Sequence, residues 1–160
     1  MTSDFIELEL PLAISENAYR RYVPGCDHPV ICAAGRKYHE LVKHRFAESG
    51  QRGIPGPVRI ALEFYPPDAR KRDLDNQFKC LFDSIVKAGC IDDDSQIFEL
   101  HACKWEPIPE AHGLNYLRIG RYNIAETGSI TALIKAGDLM GAINKYGMEK
   151  VAFFLQSRIY

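Results

Sequence analysis

The sequence predicts an α+β fold, a small mixed β-sheet packed with two main helices and followed by a C-terminal helical extension. Three observations carry this. Apolar periodicities along residues 5–121 run strand, helix, strand, helix, strand, strand. Two of the intervening segments carry the i, i+3, i+4 spacing of helices that face a core. A length of 160 residues, 46% hydrophobic and 26% charged, suits one domain with an appendage and excludes wholesale disorder.

Phe5–Leu12 alternates Ile6, Leu8 and Leu10 against Glu7 and Glu9, the period of a half-buried strand. Ser15-Glu16-Asn17 through Pro24-Gly25 reads as a loop that carries Arg20 and Arg21. From Ala33 to about Glu48 the spacing is helical, with Tyr38, Leu41, Val42 and Phe46 on one side and Arg36, Lys37, Lys43, His44 and Arg45 on the rest. Glycines and prolines from Gly50 to Pro57 then break the chain. Val58–Tyr65 alternates as a strand and is stopped by Pro66-Pro67. Asp68–Asp73 is a charged loop. Leu74–Ala88 is a helix closed by Gly89, with Asp73 suited to its N-cap and Phe78, Leu81, Phe82 and Ile85 as its core face. Ile91–Ser95 is an acidic turn. Ile97–Trp105 and Leu114–Arg121 read as strands, and a connector with Pro107, Pro109 and Gly113 suits a hairpin between them. Ala132, Leu133, Leu139, Ile143, Val151, Phe154 and Leu155 recur at helical spacing with breaks at Gly137 and Gly147, which predicts two or three short helices. The expected division is therefore a domain over 1–124 and an extension over 125–160.

Twenty basic against twenty-one acidic residues leave a net charge of −1, too little for a protein that coats nucleic acid by bulk charge. The balance hides a segregation: residues 19–72 carry eleven basic and five acidic side chains, residues 73–110 three and nine. No stretch approaches a membrane span, and the start Met1-Thr2-Ser3-Asp4 lacks the basic, apolar pattern of a signal peptide. The expectation is a cytoplasmic protein without a membrane partner. Five scattered cysteines, with no CxxC pair, fit reduced packing residues. Cys26, His28 and Cys32 make half a zinc corner whose second half is missing.

The chemistry lies in the acidic centre. Asp73 and Asp75 stand where a loop enters a helix, and Asp75, Lys79 and Asp83 follow at one-turn intervals along one stripe. A solvated Asp–Lys–Asp ladder would explain these alone. Asp92, Asp93 and Asp94 then crowd the turn after the same helix, so the two stretches are expected to meet in space. Converging carboxylates repel by about 1–4 kcal/mol per pair at about 4 Å and require a cation. Without His or Cys, such oxygens suit Mg²⁺ or Mn²⁺. Arg70, Lys71 and Arg72 lie beside them and suit flanking phosphates.

The run Arg72-Asp73-Leu74-Asp75-Asn76, Lys79, Phe82-Asp83, Lys87-Ala88-Gly89 and Asp93-Asp94-Ser95-Gln96 resembles the RusA-type Holliday junction resolvases. The likeness extends over roughly residues 5–122, from the strand before Pro11 and the Ser15/Asn17 loop to the strand ending in Lys104. It implies a homodimeric, Mg²⁺-dependent endonuclease of DNA recombination and repair, in a bacterial or phage-infected cell, that nicks opposing strands of four-way DNA junctions. It also implies metal-binding aspartates at Asp73, Asp75 and Asp94, with Asp93 as support or alternative ligand, and a catalytic lysine at Lys79. Asp92 is an additional acid beside these, and residues 125–160 exceed the family pattern. Neighbouring carboxylates push the Lys79 pKa up, which favours charge stabilisation over general-base work. Arg20, Arg21, Arg36, Lys37, Lys43, Arg45, Arg52, Arg70, Lys71 and Arg72 are candidates for contacts to backbone phosphates. The competing readings are a junction-binding or architectural protein that does not cut, a less selective metal-dependent nuclease, and a DxD phosphohydrolase. No P-loop is present, so no nucleotide cofactor is expected.

Overall fold

The computed structural model describes residues 5–108, 112–123, 132–134 and 136–156. The Met1–Asp4 start, Pro109 of the connector and the side chain of Phe154 lie outside the described residues. The elements are β1 (Phe5–Leu10), α1 (Glu16–Tyr19), β2 (Arg20–Arg21), β3 (Val30–Ile31), α2 (Ala33–Ser49), β4 (Val58–Tyr65), a 3₁₀ turn (Asp75–Gln77) running into α3 (Phe78–Ala88), a second 3₁₀ turn (Asp94–Gln96), β5 (Ile97–Lys104), β6 (Leu114–Arg121), α4 (Leu139–Tyr146) and α5 (Met148–Gln156). The fold class is the one read from the sequence. A four-stranded mixed sheet in the order β1-β6-β4-β5 packs with α2 and α3, and β2 and β3 form a separate two-stranded ribbon.

β4 is one of the two interior strands. It pairs antiparallel with β6 and parallel with β5, so α3 is the crossover that a parallel pair requires. Its alternating side chains Val58, Ile60, Leu62 and Phe64 are buried, as are Ile6, Leu8 and Leu10 of β1 and Leu117 and Ile119 of β6. Against them lie Tyr38, Val42 and Phe46 of α2 and Cys80, Leu81 and Ile85 of α3. Phe78 and Phe82, read as core, are only partly buried and pack against it, while Cys80 and Ser84 are fully buried.

Three local expectations are corrected. β5 and β6 are not a hairpin: β4 lies between them in the sheet. The segment read as loop at 15–21 folds into α1 and β2, with the ribbon closed by Arg20 opposite Ile31 and Arg21 opposite Val30. Asp73 is not a helix N-cap, because the helical path begins with the 3₁₀ turn, whose capping position is Leu74. At the end of β5 the Trp105 amide donates to the Phe64 carbonyl (2.9 Å), and its indole stacks on Tyr65 with ring centroids 6.3 Å apart. Cys32 caps α2, its Sγ accepting from the Gly35 amide at 3.1 Å, and all five cysteines are free thiols.

The chain divides into two compact units, Met1–Arg121 and Tyr122–Tyr160. In the second, Asp138 Oδ1 accepts from the Gly141 amide at 2.7 Å to start α4, and Gly147 at φ 86° separates it from α5. Among the described residues no helix is long and apolar enough to cross a membrane.

Gly53 marks a close backbone approach: a Cβ there would meet the Gly89 carbonyl oxygen at 2.3 Å, beside the Ile54 N–H to Cys90 carbonyl bond of 2.8 Å. Two backbones cannot part without losing that bond. Gly53→Ala is therefore expected to lower the unfolding free energy by about 1–3 kcal/mol, measured by urea unfolding followed by circular dichroism.

Candidate active site

α3 buries Cys80, Leu81, Ser84 and Ile85 and turns Lys79 and Asp83 to its other side. Their one-turn spacing makes an ion pair, Lys79 Nζ to Asp83 Oδ1 at 2.8 Å. The same ammonium reaches Asp94 Oδ2 at 3.5 Å. Lys79, in the first turn of α3, thus reaches the acidic turn that follows the helix. The hydrogen bond to Asp83, with the nearby Asp83 and Asp94 charges, raises the Lys79 pKa against the opposing effect of partial burial. Lys79 is accordingly a fixed cation.

Asp83 is held from two directions. Oδ2 accepts from the Tyr19 hydroxyl at 2.8 Å and lies 3.4 Å from Arg20 Nη2. Burial pushes its carboxyl upward, but the bonds from Lys79 and Tyr19 and the charges of Lys79 and Arg20 outweigh it, leaving it below the ordinary carboxylate value. Tyr19 is fully buried, and its hydroxyl also lies 3.0 Å from His39 Nε2. The other ring nitrogen of His39 is 2.8 Å from Ser84 Oγ. Sequence reading missed Tyr19, His39 and Ser84. The signal for them is weak, a lone polar residue on each of two apolar helix faces.

The acidic turn is a rigid cap. Asp93 Oδ1 accepts from the Ser95 amide at 3.0 Å, Gln96 Oε1 accepts from the Asp93 amide at 3.0 Å, and Gln96 Nε2 donates to the Gly56 carbonyl at 2.7 Å. Asp93 is thereby engaged with its own backbone, and the Ser95 bonds hold its carboxyl low. Asp94, the first residue of the 3₁₀ turn, is left to face Lys79. On the other approach Lys104 Nζ donates to the Arg72 carbonyl at 2.8 Å, tying the loop before α3 to the end of β5.

Asp73 Oδ2 accepts from Asn76 Nδ2 at 3.2 Å, and Asp75 opens the first 3₁₀ turn. Among the described residues no three His, Cys, Asp or Glu side chains are grouped as a metal ion needs. The donor set of aspartate oxygens fits a hard divalent ion in chemical type. Beside Asp73 opens a cavity of about 280 Å³ whose lining includes Ser15, Lys71, Arg72 and Gln77. Gln77 and Asn115 are buried side by side at 2.7 Å, and Gln77 Nε2 and Asn115 Oδ1 have no hydrogen-bond partner among the described residues.

The basic candidates divide. Arg72 forks onto Asp68 at 2.6 and 3.1 Å, which holds the Asp68 carboxyl at about 2 with help from the Arg70 amide. Arg20 is turned to Asp83, Arg36 to the Ile31 carbonyl, Arg70 to Asp68 at 3.8 Å and Arg45 to Glu48 at 3.8 Å. The side chains of Arg21, Lys37, Lys43, Arg52 and Lys71 make no ion pair among the described residues and are exposed or partly so.

A family model described as Endodeoxyribonuclease RusA matches residues 11–110. A relative from Shigella sonnei (strain Ss046), named crossover junction endodeoxyribonuclease RusA, is 36% identical over 101 residues, covering 61% of this chain and 80% of its own. The protein of that name from Escherichia coli (strain K12) is 35% identical over 101 residues, and that from Enterobacteria phage 82 is 38% identical over 98, both with the same shares covered.

Because the folded pKa of Asp83 lies below its unfolded value, its contribution to stability is present above about pH 4 and is lost as pH falls through the folded value. Thermal melts between about pH 5 and 2 are therefore expected to fall more steeply for the parent than for Asp83→Asn; equal slopes would contradict this.

Proposed function

The chain belongs to the RusA endodeoxyribonuclease family, and from that premise we propose that it resolves four-way (Holliday) DNA junctions by paired symmetric nicks, with Mg²⁺ held by Asp73, Asp75 and Asp94. One observation carries the reading: an ammonium kept charged by Asp83 stands 3.5 Å from Asp94, where the helix that follows Asp73 and Asp75 meets the acidic turn. A charged ammonium beside one hard oxygen donor supports this reading, since phosphodiester hydrolysis draws on fixed positive charge at the phosphate.

A divalent ion, when bound, supplies Lewis-acid stabilisation of phosphate oxygens and lowers the pKa of a water to make a nucleophile; Mn²⁺ substitutes by the same donor preference. The protein's own residues do the rest. Lys79 stabilises charge that develops on the phosphoryl oxygens and the leaving oxygen; its raised pKa leaves it unable to act as a base at neutral pH. Gln96, bonded to Gly56, and Lys104, bonded to the Arg72 carbonyl, hold the two acidic stretches in place. Arg21, Lys37, Lys43 and Lys71, free of ion pairs among the described residues, contact backbone phosphates. Arg20 and Arg72 steer charge through Asp83 and Asp68 rather than gripping DNA directly. A junction offers two symmetric cutting positions, so a two-fold homodimer is the natural assembly. Catalysis is assigned to residues 1–124, where the acidic residues and Lys79 lie.

The test incubates the full chain with synthetic four-way, three-way, duplex and single-stranded DNA, with and without Mg²⁺. Expected are symmetric nicks confined to the four-way junction and dependent on the ion. Asp73→Asn, Asp75→Asn and Asp94→Asn are each expected to lower cutting about a hundredfold or more while junction binding persists. Binding without cutting by the parent would favour an architectural protein, and equal cutting of duplex a less selective nuclease.

A further inference from the structure

We propose that Asp83 is a positioning residue for Lys79, and that the buried chain Ser84–His39–Tyr19 exists to fix Asp83. The inference rests on the reading of Lys79 as a catalytic group. A Lys–Asp pair one turn apart on an open helix face is weak and mobile. Here the carboxylate is only 16% exposed and is anchored through its second oxygen, at 2.8 Å, by a tyrosine with no exposed surface.

The hydrogens of the network can be assigned by counting. The Tyr19 hydroxyl carries one hydrogen and has two neighbours, Asp83 Oδ2 at 2.8 Å and His39 Nε2 at 3.0 Å. A carboxylate only accepts, so Tyr19 donates to Asp83 and must accept from Nε2–H of His39. Nδ1 of the neutral ring then accepts from the Ser84 hydroxyl at 2.8 Å. The Ser84 hydroxyl also donates to the Cys80 carbonyl four residues back, at 2.5 Å, so its one hydrogen is shared between that carbonyl and Nδ1. The bonds from His39 to Tyr19 and from Tyr19 to Asp83 run toward the carboxylate, and with a neutral ring no charge is buried on His39, whose pKa burial pushes down. The chain joins α2, α1 and α3, so the carboxylate is referenced to three elements at once.

The consequence for Lys79 is geometric. Asp83 holds it at 2.8 Å while Asp94 stands at 3.5 Å. Without a fixed Asp83 the ammonium is free to close on Asp94, neutralising an oxygen donor and leaving its place beside the phosphate.

The test compares Asp83→Asn and Tyr19→Phe with the parent in three measurements: single-turnover cutting of a four-way junction with Mg²⁺, junction affinity without it, and hydrogen exchange of the Lys79 ammonium in the side-chain ¹⁵N spectrum. That signal is assigned by its loss in Lys79→Ala. Expected is a fall in cutting rate of about tenfold or more for Asp83→Asn and about threefold for Tyr19→Phe, with affinity within about twofold and faster ammonium exchange in both. Unchanged cutting, unchanged exchange, or affinity falling in step with rate would each overturn the proposal. Should Asp83→Asn not fold, Tyr19→Phe, which keeps the buried ring, decides alone. If Lys79→Ala cuts at the parental rate, the catalytic reading of Lys79 falls and this proposal with it. If Lys79→Ala is impaired but exchange is indifferent to Asp83 and Tyr19, only the proposal falls.

Discussion

The parallel pairing of β4 with β5 is the constraint from which the rest follows. Parallel neighbours cannot be joined by a tight turn, so a crossover must lie on the sheet, and here it is α3. Burying Cys80, Leu81, Ser84 and Ile85 fixes the rotation of that helix about its axis, and the rotation decides where Lys79 and Asp83 point. Both ends of the crossover are then tied down by single side chains, Gln96 on the Gly56 carbonyl and Lys104 on the Arg72 carbonyl. The acidic residues need no stiffness of their own, because the sheet supplies it.

Charge in this molecule is arranged in pairs rather than patches. The basic run at 70–72 reads as a phosphate grip, yet Arg72 is committed to Asp68 and the backbone around it, so the loop is shaped by its own ion pair. Arg20 likewise completes the surroundings of Asp83. The cations left over, among them Lys37 and Lys43, sit on exposed positions of α2 and stay solvated.

Strands were legible wherever one face is wet and the other dry. β4 and β6 begin and end where alternation begins and ends, because period-two burial leaves its mark on every residue. Neighbourhood was not legible: alternation identifies a strand but does not say which strand lies beside it, so β6 was paired with β5 instead of β4. The proposed acidic site is readable as a motif since Asp73, Asp75, Lys79 and Asp94 lie within one crossover. Tyr19 and His39 escaped because their partners are 64 and 45 residues away, and a tyrosine in a short polar segment has no local signature of burial. Asp73 was misplaced as a cap because a 3₁₀ turn and the first turn of an α-helix share a composition.

The stacked pair at the end of β4 has an optical consequence. Trp105 is the chain's single indole, 49% exposed and packed on Tyr65, and it follows Lys104, the residue that pins the loop leading to Asp73. Indole emission, excited at the red edge where tyrosine scarcely absorbs, thus reports on one corner of the sheet and the loop docked there.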